Sequence, residues 1–270
     1  MILLKIRTND GYAIKILAEL LQSNLQNACF EVDEKSVSLQ VMDRGFGIAL
    51  ELFADNFCLY KFRSKTKMFL GINMIHLHKM LKSIKKRDSL EFFIDDTSPT
   101  ELNIKIIPKE KGRVTTSSIK IQTMQRVEVE FPMDYGKSII VQSSEFQKMC
   151  KGLALISNQT TISSKGYIIK FANDTGGIMK RSTEFGEKDD SDDEDSDEKD
   201  SEYDDVFETD QLTKIAKVAS LNTTMNIYTK PNRPILFKTQ IGTLGRLSLY
   251  LKSKTDQETE SRPPESEYEE

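Results

Sequence analysis

The sequence predicts an α+β protein that contains two similar domains, each built from antiparallel strands and two helices. Most of its segments alternate apolar and polar residues, as half-buried strands do, and short turns separate them. Four longer segments instead place apolar residues three and four positions apart, which is the period of an amphipathic helix. The order of these patterns in the first half recurs in the second, so we interpret the chain as an internal duplication of about 120 residues.

The first copy is expected to contain two helices and nine strands. The helices cover residues 10–24 and 73–84. The strands cover residues 3–7, 28–33, 36–42, 48–54, 57–62, 67–72, 89–94, 101–107 and 117–123. A tight turn at Glu34–Lys35 joins the second and third strands, which predicts a hairpin.

The second copy repeats this order with one interruption. Its helices are expected at residues 143–156 and 210–221, and the run Ser143–Ser144–Glu145 is typical of a capped helix start. Its strands are expected at residues 138–142, 160–164, 167–172, 178–185, 206–209, 225–230, 235–241 and 246–252. The strand 57–62 has no counterpart in this half unless residues 203–207 supply it.

These patterns divide the chain into an N-terminal domain, residues 1–124, and a C-terminal domain, residues 138–254, joined by a connector at residues 125–137. An acidic insertion at residues 187–205 interrupts the C-terminal domain, and residues 255–270 form an acidic tail. Both acidic segments are poor in apolar residues and rich in like charge, which predicts disorder.

The two acidic segments mask the positive net charge of the rest of the chain. The whole chain carries a net charge of −4, but the insertion alone carries −11 and the tail −6. The remaining residues include 35 basic and 22 acidic side chains and therefore carry +13. This balance is compatible with a nucleic-acid partner, because the charge that matters is that of the surface facing the ligand.

Composition argues against a membrane protein, a metalloprotein and an enzyme. No apolar run approaches the roughly 20 residues that span a bilayer, and the first ten residues lack the layout of a secretory signal, so we expect an intracellular protein. Cys29, Cys58 and Cys150 form no C-x-x-C pair, and His76 and His78 are the only histidines, so we expect reduced thiols, no metal site and no cofactor. The sequence has no glycine-rich phosphate loop, nucleophile–histidine pairing or carboxylate cluster that would suggest catalysis.

Three predicted helices carry the pattern Lys-x-x-Lys on an otherwise apolar background. The pairs are Lys79 and Lys82, Lys148 and Lys151, and Lys214 and Lys217. Residues three apart share a helix face, so each pair presents two ammonium groups opposite the apolar residues, among which we count Met80. A single pair is typical of a solvated helix face. Three pairs in similar units instead indicate one repeated surface for regularly spaced negative charge, and duplex DNA offers one charge per ~1.7 Å of axis.

Five short runs have an order and spacing that coincidence does not explain. They are ACFEV at residues 28–32, SLQVMD at 38–43, LGIN at 70–73, SEF at 144–146 followed by Cys150 and Lys151, and LGRL at 244–247 followed by Tyr250 and Leu251. Together they resemble the eukaryotic-type DNA sliding clamps, the proliferating cell nuclear antigen family. The resemblance covers nearly the whole chain apart from the acidic insertion and the tail.

The resemblance implies a homotrimeric ring of six DNA-clamp domains, with antiparallel sheets outside and four helices lining the inner face around the duplex. It adds Lys15 of the first helix to the three lysine pairs, and the stripe of the second helix extends from His76 to Lys86. The expected DNA-binding residues are Lys15, Lys79, Lys82, Lys86, Lys148, Lys151, Lys214 and Lys217. Flexible ammonium groups contact phosphates without reading bases, so binding of this kind is independent of sequence and permits sliding.

The resemblance also implies where the subunits meet. The edge strands 117–123 and 178–185 are expected to pair between subunits and to continue the sheet around the ring. A proline at Ile119 or at Met179 is expected to remove ladder donors and to yield monomers.

A hydrophobic pocket between the connector and the end of the chain is a further implication of the resemblance. It would accept a short amphipathic peptide with a glutamine anchor and two aromatic side chains. The matching positions are Met42, Val129, Phe131, Pro132, Pro234 and Tyr250. Val127 and Phe131 are also expected to fasten the connector to its own sheet, which is compatible with a pocket at its outer rim.

Two departures from the family pattern affect this pocket. The position at its floor, usually a large aliphatic residue, falls on Ala49 or on its neighbour Ile48. The family's Ala-Pro-Lys after the last strand is replaced by Lys252–Ser253–Lys254. The partner peptides are therefore expected to differ from those of cellular clamps.

The expected function is that of a DNA polymerase processivity factor without enzymatic activity. Its expected partners are double-stranded DNA of any sequence, a DNA polymerase and other peptide-motif proteins of replication and repair, and an ATP-dependent clamp loader. The expected location is the nucleus, or the host nucleus or viral replication site if the source is a virus. The alternative within the same fold is one subunit of a heteromeric checkpoint-type clamp, although the repeated lysines and the intact connector favour the homotrimer.

Overall fold

Three antiparallel sheets and a layer of helices make up this computed structural model, which describes residues 1–43, 45–110, 112–125, 128–186 and 202–261. The strands of the first copy are β1 (Ile2–Thr8), β2 (Asn27–Val32), β3 (Ser36–Met42), β4 (Phe46–Phe53), β5 (Leu59–Phe62), β6 (Met68–Asn73), β7 (Ser89–Asp95), β8 (Glu101–Ile107) and β9 (Thr115–Lys120). Those of the second copy are β10 (Ile139–Gln142), β11 (Gln159–Lys165), β12 (Ile168–Asp174), β13 (Lys180–Gly186), β14 (Tyr203–Glu208), β15 (Thr224–Tyr228), β16 (Ile235–Ile241) and β17 (Gly245–Leu251). The helices are α1 (Gly11–Asn24), α2 (Met74–Leu81), α3 (Ser143–Ala154), α4 (Thr209–Ile215) and α5 (Lys254–Ser261).

The strand pairing repeats between the two halves, as the sequence duplication predicts. The sheet orders are β5-β1-β7-β8-β9, β10-β15-β16-β17-β4-β3-β2-β6 and β13-β12-β11-β14. Strand β2 lies between β3 and β6 in the first copy, and β11 lies between β12 and β14 in the second. By the same comparison β13 is the counterpart of β4, and β17 is the counterpart of β9.

In the described part of the chain, a single ladder joins the two copies. Strand β17 pairs with β4 over seven residue pairs, from Gly245↔Leu52 to Leu251↔Phe46, and so forms one eight-stranded sheet across the domain boundary. The absence of a side chain at Gly245 permits this approach, because an added Cβ would lie 2.0 Å from the Glu51 carbonyl oxygen. The hydrophobic core is likewise continuous between the two halves.

The core forms where alternate strand residues meet the apolar stripes of the helices. The Asp10 carboxylate caps α1 by accepting the Ala13 N–H at 3.1 Å, which starts the helix with its apolar stripe towards the sheets. In the second copy the fully buried ring of Phe146, on α3, packs against those of Phe171 and Phe237 at centroid distances of 5.8 and 5.7 Å. These aromatic contacts fix α3 over strands β12 and β16.

Helix α2 is shorter than predicted, since it ends at Leu81 and not at residue 84. The chain then turns, with Arg87 at a φ of 82° and the Asp88 carboxylate accepting the Lys85 N–H at 2.9 Å. This turn buries Ile84 without continuing the helix. The prediction that Met80 belongs to the buried face is wrong, because its side chain is 37% exposed.

Helix α4 is also shorter than predicted. It ends at Ile215, and residues 216–220 continue as a 3₁₀ segment. The Ala216 N–H is shared between the carbonyls of Leu212 and Lys214, which is the bonding expected where helical winding tightens. The two lysines of the third Lys-x-x-Lys pair therefore lie on consecutive but different helical elements.

The predicted serine cap of α3 is wrong. The helix begins at Ser143 itself, and Gln142 occupies the capping position without a side-chain hydrogen bond. The Ser143 N–H donates to the Thr223 carbonyl at 2.8 Å, and its side chain is buried. This tie to the loop before β15 takes the place of the local cap.

The limits of both acidic segments need correction. Strand β14 begins at Tyr203, so the last three residues of the predicted insertion belong to a strand, while residues 187–201 lie outside the described part. Because β14 pairs with β11 as β6 pairs with β2, it is the counterpart of β6 and not of β5. The tail is helical as far as Ser261, because the Ser253 hydroxyl caps α5 by accepting the Asp256 N–H at 3.1 Å. Residues 262–270 lie outside the described part.

Among the described residues, strands β9 and β13 each end a sheet, and the bonds next to them show which amides face outwards. The Ile121 N–H donates to the Thr100 carbonyl, so by alternation Ile119 faces β8 while Ser118 faces the open edge. The Met179 carbonyl accepts the Thr175 N–H, so Met179 faces the β12 side. The prediction that proline at Ile119 or Met179 removes donors from the open edges is therefore wrong.

The corresponding outward position on β13 is Ser182. It lies three residues beyond Met179, and alternation turns its amide away from β12. Both Ser118 and Ser182 are exposed, so these two serines are the positions at which a proline removes an open donor from β9 and β13.

Candidate functional sites

Helices from both copies lie side by side in one continuous layer. The Lys15 ammonium on α1 donates to the Ile84 carbonyl just after α2, at 2.9 Å. On the other side of α1, Glu19 lies 3.7 Å from the Lys217 ammonium of the 3₁₀ segment that follows α4. Next in the row, the Gln147 side chain of α3 donates to the Ala216 carbonyl at 3.3 Å. The order across the layer is therefore α2, α1, α4 with its 3₁₀ extension, and α3.

This layer carries all eight lysines predicted to bind DNA. Four of them are exposed and make no ion pair with any described residue, namely Lys79, Lys82, Lys86 and Lys151. Two of these four lysines lie outside the helix in which they were predicted. Lys82 is the C-cap of α2, and Lys86 lies in the turn beyond it. The predicted stripe that begins at His76 therefore continues past the end of the helix at Leu81. A cation in a turn remains able to reach a phosphate.

Three other lysines pair with carboxylates on the same layer. The ammonium groups of Lys148 and Lys214 lie 2.8 Å from Glu145 and Asp210, respectively. Lys217 makes the 3.7 Å pair with Glu19 described above. Pairs of this kind on a surface contribute little to stability, so they leave the lysines available to a more highly charged ligand.

Lys15 has a structural contribution of its own. Besides its bond to the Ile84 carbonyl, its ammonium lies 5.6 Å from the centre of the Tyr12 ring, and the Lys86 ammonium lies 5.8 Å from the same centre. The Lys15 side chain is half-buried. It therefore fastens α1 to the turn after α2 and contributes positive charge at the same time.

Sequence reasoning missed some cations beside this layer. Lys85 and Arg87 are exposed on either side of Lys86, and the contiguous basic run was a signal that could have identified them. Arg181 of β13 donates to the Gly152 carbonyl on α3 at 2.9 Å. Its position next to α3 depends on the tertiary fold and leaves no mark in the local sequence.

A second candidate site is the pocket at the connector, where three of the six predicted residues converge around Gly47. Met42 and Tyr250 are its strand partners on β3 and β17. The Phe131 ring stacks on that of Tyr250 at a centroid distance of 4.6 Å. An added Cβ at Gly47 would lie 2.7 Å from the Met42 sulfur and 3.2 Å from the Phe131 ring, so the bare glycine backbone permits this convergence.

Tyr135 extends the aromatic cluster and brings in a fourth predicted residue. Its hydroxyl donates to the Pro234 carbonyl at 2.7 Å, and its ring lies 6.5 Å from Tyr250 and 6.3 Å from Tyr228. Burial raises the pKa of Tyr135 and of Tyr250, so both phenols are neutral at physiological pH. Sequence reasoning left Tyr135 and Tyr228 out, although an aromatic residue in the connector was a usable signal.

The connector lies over the face of the eight-stranded sheet opposite the core. Val129, Phe131 and Met133 line one side of a cleft of about 880 Å³, and Tyr250 and Ala49 line the sheet side. Ile48 faces the core and is fully buried, so the floor position of the pocket is Ala49.

Other residues show how the connector is held and which predicted residues do not line the cleft. The Lys230 ammonium donates to the Asp134 carbonyl at 2.7 Å and holds the far end of the connector on the second copy. Pro132 is half-buried, but it is not among the described residues that line the cleft. Val127 lies outside the described residues, so its role in fastening the connector stays a prediction.

The described residues offer little for other chemistry. Among them, no three histidine, cysteine or carboxylate side chains lie close enough to hold a metal ion, and no helix is long and apolar enough to cross a bilayer. The three cysteines are free thiols. Burial raises the pKa of Cys150 to about 12, which makes it unreactive at neutral pH.

Comparison with known proteins identifies matches over nearly the same span. A family model for the proliferating cell nuclear antigen, N-terminal domain, matches residues 3–130, and the model for its C-terminal domain matches residues 128–254. A probable DNA polymerase sliding clamp 1 of Paramecium bursaria Chlorella virus 1 is 23% identical over 254 residues, which is 93% of this chain and 96% of that protein.

Two further relatives come from a fungus and from another virus. The proliferating cell nuclear antigen of Chaetomium thermophilum is 23% identical over 259 residues, 93% of this chain and 98% of the relative. A probable DNA polymerase sliding clamp of Autographa californica nuclear polyhedrosis virus is 24% identical over 249 residues, 90% of this chain and 93% of the relative.

Proposed function

The chain belongs to the proliferating cell nuclear antigen family, and on that premise we propose that it is a DNA sliding clamp, a ring of three copies that encircles duplex DNA and tethers a polymerase to it. The observation that carries this proposal is the continuous helical layer, which collects eight lysines from both halves of the duplication on one surface. A surface of unpaired and weakly paired ammonium groups suits phosphates and has no means of reading bases.

The internal ladder supports closure into a ring. Strands β9 and β13 are the counterparts of β17 and β4, which pair within the chain, so β9 of one copy offers the same partner to β13 of the next. Both edges carry apolar side chains that this pairing would cover. Just before β13, Ile178 is 87% exposed, and Leu155 is 84% exposed at the end of α3, which Arg181 of β13 contacts. Beside β9 the helix α2 exposes Ile75 and Met80. A chain with one complementary pair of edges joins further copies of itself head to tail, and such a joint gives a ring where the rotation between copies closes.

DNA would pass through the hole lined by the helical layer. Point contacts from Lys79, Lys82, Lys86 and Lys151 to phosphates are individually weak, and topology rather than affinity would retain the ring on its template. Loading a closed ring requires opening it, so an ATP-dependent clamp loader is part of the proposal. The protein would act as a scaffold without catalysis, in the nucleus or, for a virus, at the host nucleus or viral replication site.

The pocket around Gly47 would hold the peptides of the polymerase and of other replication and repair proteins. The stacked rings of Phe131 and Tyr250 and the side chain of Met42 form an apolar base for two aromatic anchors. We expect Phe131→Ala and Tyr250→Ala each to weaken binding of a polymerase's terminal peptide at least tenfold, measured by titration calorimetry. The matched control is Tyr167→Ala, which removes an exposed aromatic ring that does not line the cleft. Equal affinity in both pocket variants would place the partner site elsewhere.

The assembly is tested by light scattering coupled to size-exclusion chromatography on the pure chain. Three chains of 30.8 kDa give a particle of about 92 kDa. A subunit of a heteromeric checkpoint-type clamp would instead elute as a monomer and trimerise only with its partners. A monomer at all concentrations would therefore contradict the homotrimer.

A further inference from the structure

The last strand of the chain ends at the connector pocket in a small polar notch. Two residues beyond the stacked Tyr250, the Lys252 N–H donates to the Gly45 carbonyl at 3.0 Å. Gly45 lies in the turn between Met42 and Gly47, so the notch adjoins the apolar base of the pocket. Its two features are the bare backbone of Gly45 and the carbonyl oxygen of Lys252.

The side chain of Gln257 fills this notch. Its amide nitrogen donates to the Lys252 carbonyl at 3.0 Å. The same carboxamide lies over Gly45, where an added Cβ would be 3.0 to 3.1 Å from its nitrogen, carbon and oxygen. Gln257 belongs to α5, so the C-terminal helix supplies an internal ligand to the end of the pocket.

The attachment of α5 is polar in composition. The helix has eight residues, and its sequence KTDQETES contains no apolar side chain. Isolated helices of this length are marginal in water, so docking depends on the tertiary contacts. Besides Gln257 these include the Ser253 cap and a 3.3 Å hydrogen bond from Thr255 to the Asp205 carboxylate on β14. A ligand that offers the same polar partners could therefore replace it.

The position of α5 also places acidic charge beside the aromatic cluster. Burial and the nearby carboxylates of Asp205 and Asp256 raise the pKa of Tyr203, whose environment includes Tyr135. The helix thus lies along the edge of the pocket that Tyr135 and Tyr250 form, and not on a remote surface.

We infer that Gln257 is an internal competitor for the carboxamide of a partner peptide, so that α5 must leave the Gly45–Lys252 notch before a glutamine-bearing peptide engages fully. The inference rests on the proposed peptide pocket. The Lys252 carbonyl can accept the amide of Gln257 or that of the peptide in this notch, and the bare Gly45 backbone leaves room for a single carboxamide. Partners without a glutamine would bind the aromatic base with α5 still in place.

The test uses full-length protein, titration calorimetry and two synthetic peptides. One peptide carries a glutamine and two aromatic residues, and the other has alanine in place of the glutamine. Two variants release the competitor: Gln257→Ala removes the carboxamide, and Glu258→Pro breaks α5 by removing a helical donor and clashing with the preceding turn. Glu258→Ala is the matched control, because it changes the same exposed residue and keeps the helix.

We expect both releasing variants to bind the glutamine peptide about threefold to tenfold more tightly than the unaltered chain, the range given by one net hydrogen bond. Glu258→Ala should leave the affinity unchanged, and the alanine peptide should bind all four proteins equally. Equal or weaker binding of the glutamine peptide by both releasing variants would overturn the inference, and weaker binding would mean that α5 completes the pocket.

The failure of this inference can be told apart from the failure of the pocket itself. If Phe131→Ala still weakens the glutamine peptide while Gln257→Ala has no effect, the pocket stands and the competition does not. If Phe131→Ala has no effect either, the pocket assignment has failed.

Discussion

A proline at Ser118 tests the proposed joint between subunits most sharply. The amide of Ser118 faces away from β8, so its loss leaves the internal ladder of the first domain intact while removing a donor from the open edge of β9. The equivalent change on the other edge is Ser182→Pro in β13. Both serines are exposed, so neither substitution opens a cavity.

The free energy that the proline should cost can be worked out from the internal ladder between β17 and β4. If β9 and β13 pair in the same way, a proline leaves one buried acceptor without its donor in each joint, which costs about 2 kcal/mol. A ring of three copies contains three such joints, so the loss is about 6 kcal/mol per ring. The concentration at which half the rings dissociate varies with the square root of the trimer dissociation constant, so it should rise about a hundredfold.

The assay is light scattering over a dilution series, with the thermal unfolding of each variant recorded in parallel. Ser118→Ala is the matched control, since it keeps the amide donor and should dissociate at the same concentration as the unaltered chain. The unfolding temperature of the separated monomers should be the same for Ser118→Pro and for its control, Ser118→Ala. If Ser118→Pro and Ser182→Pro both dissociate at the unaltered concentration, the assignment of these edges to the ring is wrong.

Three further changes probe the DNA surface, the peptide pocket and the core. Replacing Lys79 and Lys82 together by Glu should abolish retention on circular DNA and leave the trimer intact, because both side chains are exposed and have no described ion-pair partner; loss of the trimer would assign them to the subunit joint. Phe131→Ala should cost ~2 kcal/mol, about thirtyfold in peptide affinity by calorimetry, with DNA encirclement unaffected. At pH 8 the burial of Cys150, which also raises its pKa to about 12, should make its alkylation slower than that of the exposed Cys58 by more than about tenfold, as followed by mass spectrometry with denatured protein as the control. Equal rates would contradict its burial.

The sequence was sufficient to predict the strands, the duplication and the lysine-bearing helices. Each of these leaves a periodic signal, and the pairing of β10 to β17 repeats that of the first copy as predicted. The ends of the helices were less accessible. Tertiary burial of Ile84 and Val218 determines where α2 and α4 give way to turns and 3₁₀ winding, and periodicity extends past both points.

The pocket and the open edges depend on register, which the sequence does not display. Met42, Gly47 and Tyr250 meet because β3, β4 and β17 pair in one particular register across more than half the chain. The direction of the Ser118 amide likewise follows from one hydrogen bond at the end of β9. The prediction of a disordered tail, which rested on composition alone, was also wrong for its first residues. Gln257 binds the notch through a hydrogen bond of its side chain, and the acidic composition of the segment does not indicate such a contact.

The most direct test of the central claim is whether the protein stays on DNA by encircling it. The protein is loaded onto a nicked circular duplex with the clamp loader of its source and isolated by gel filtration, and half the sample is then linearised with a restriction enzyme. The account predicts retention on the circle, release after linearisation and the same behaviour for a control in which Lys61 is replaced by Glu, since Lys61 shares the sheet face of Lys5 and not that of the buried Leu4 and Ile6. Equal retention on circular and linear DNA would contradict it, because the protein would then be held by affinity and not by a closed ring.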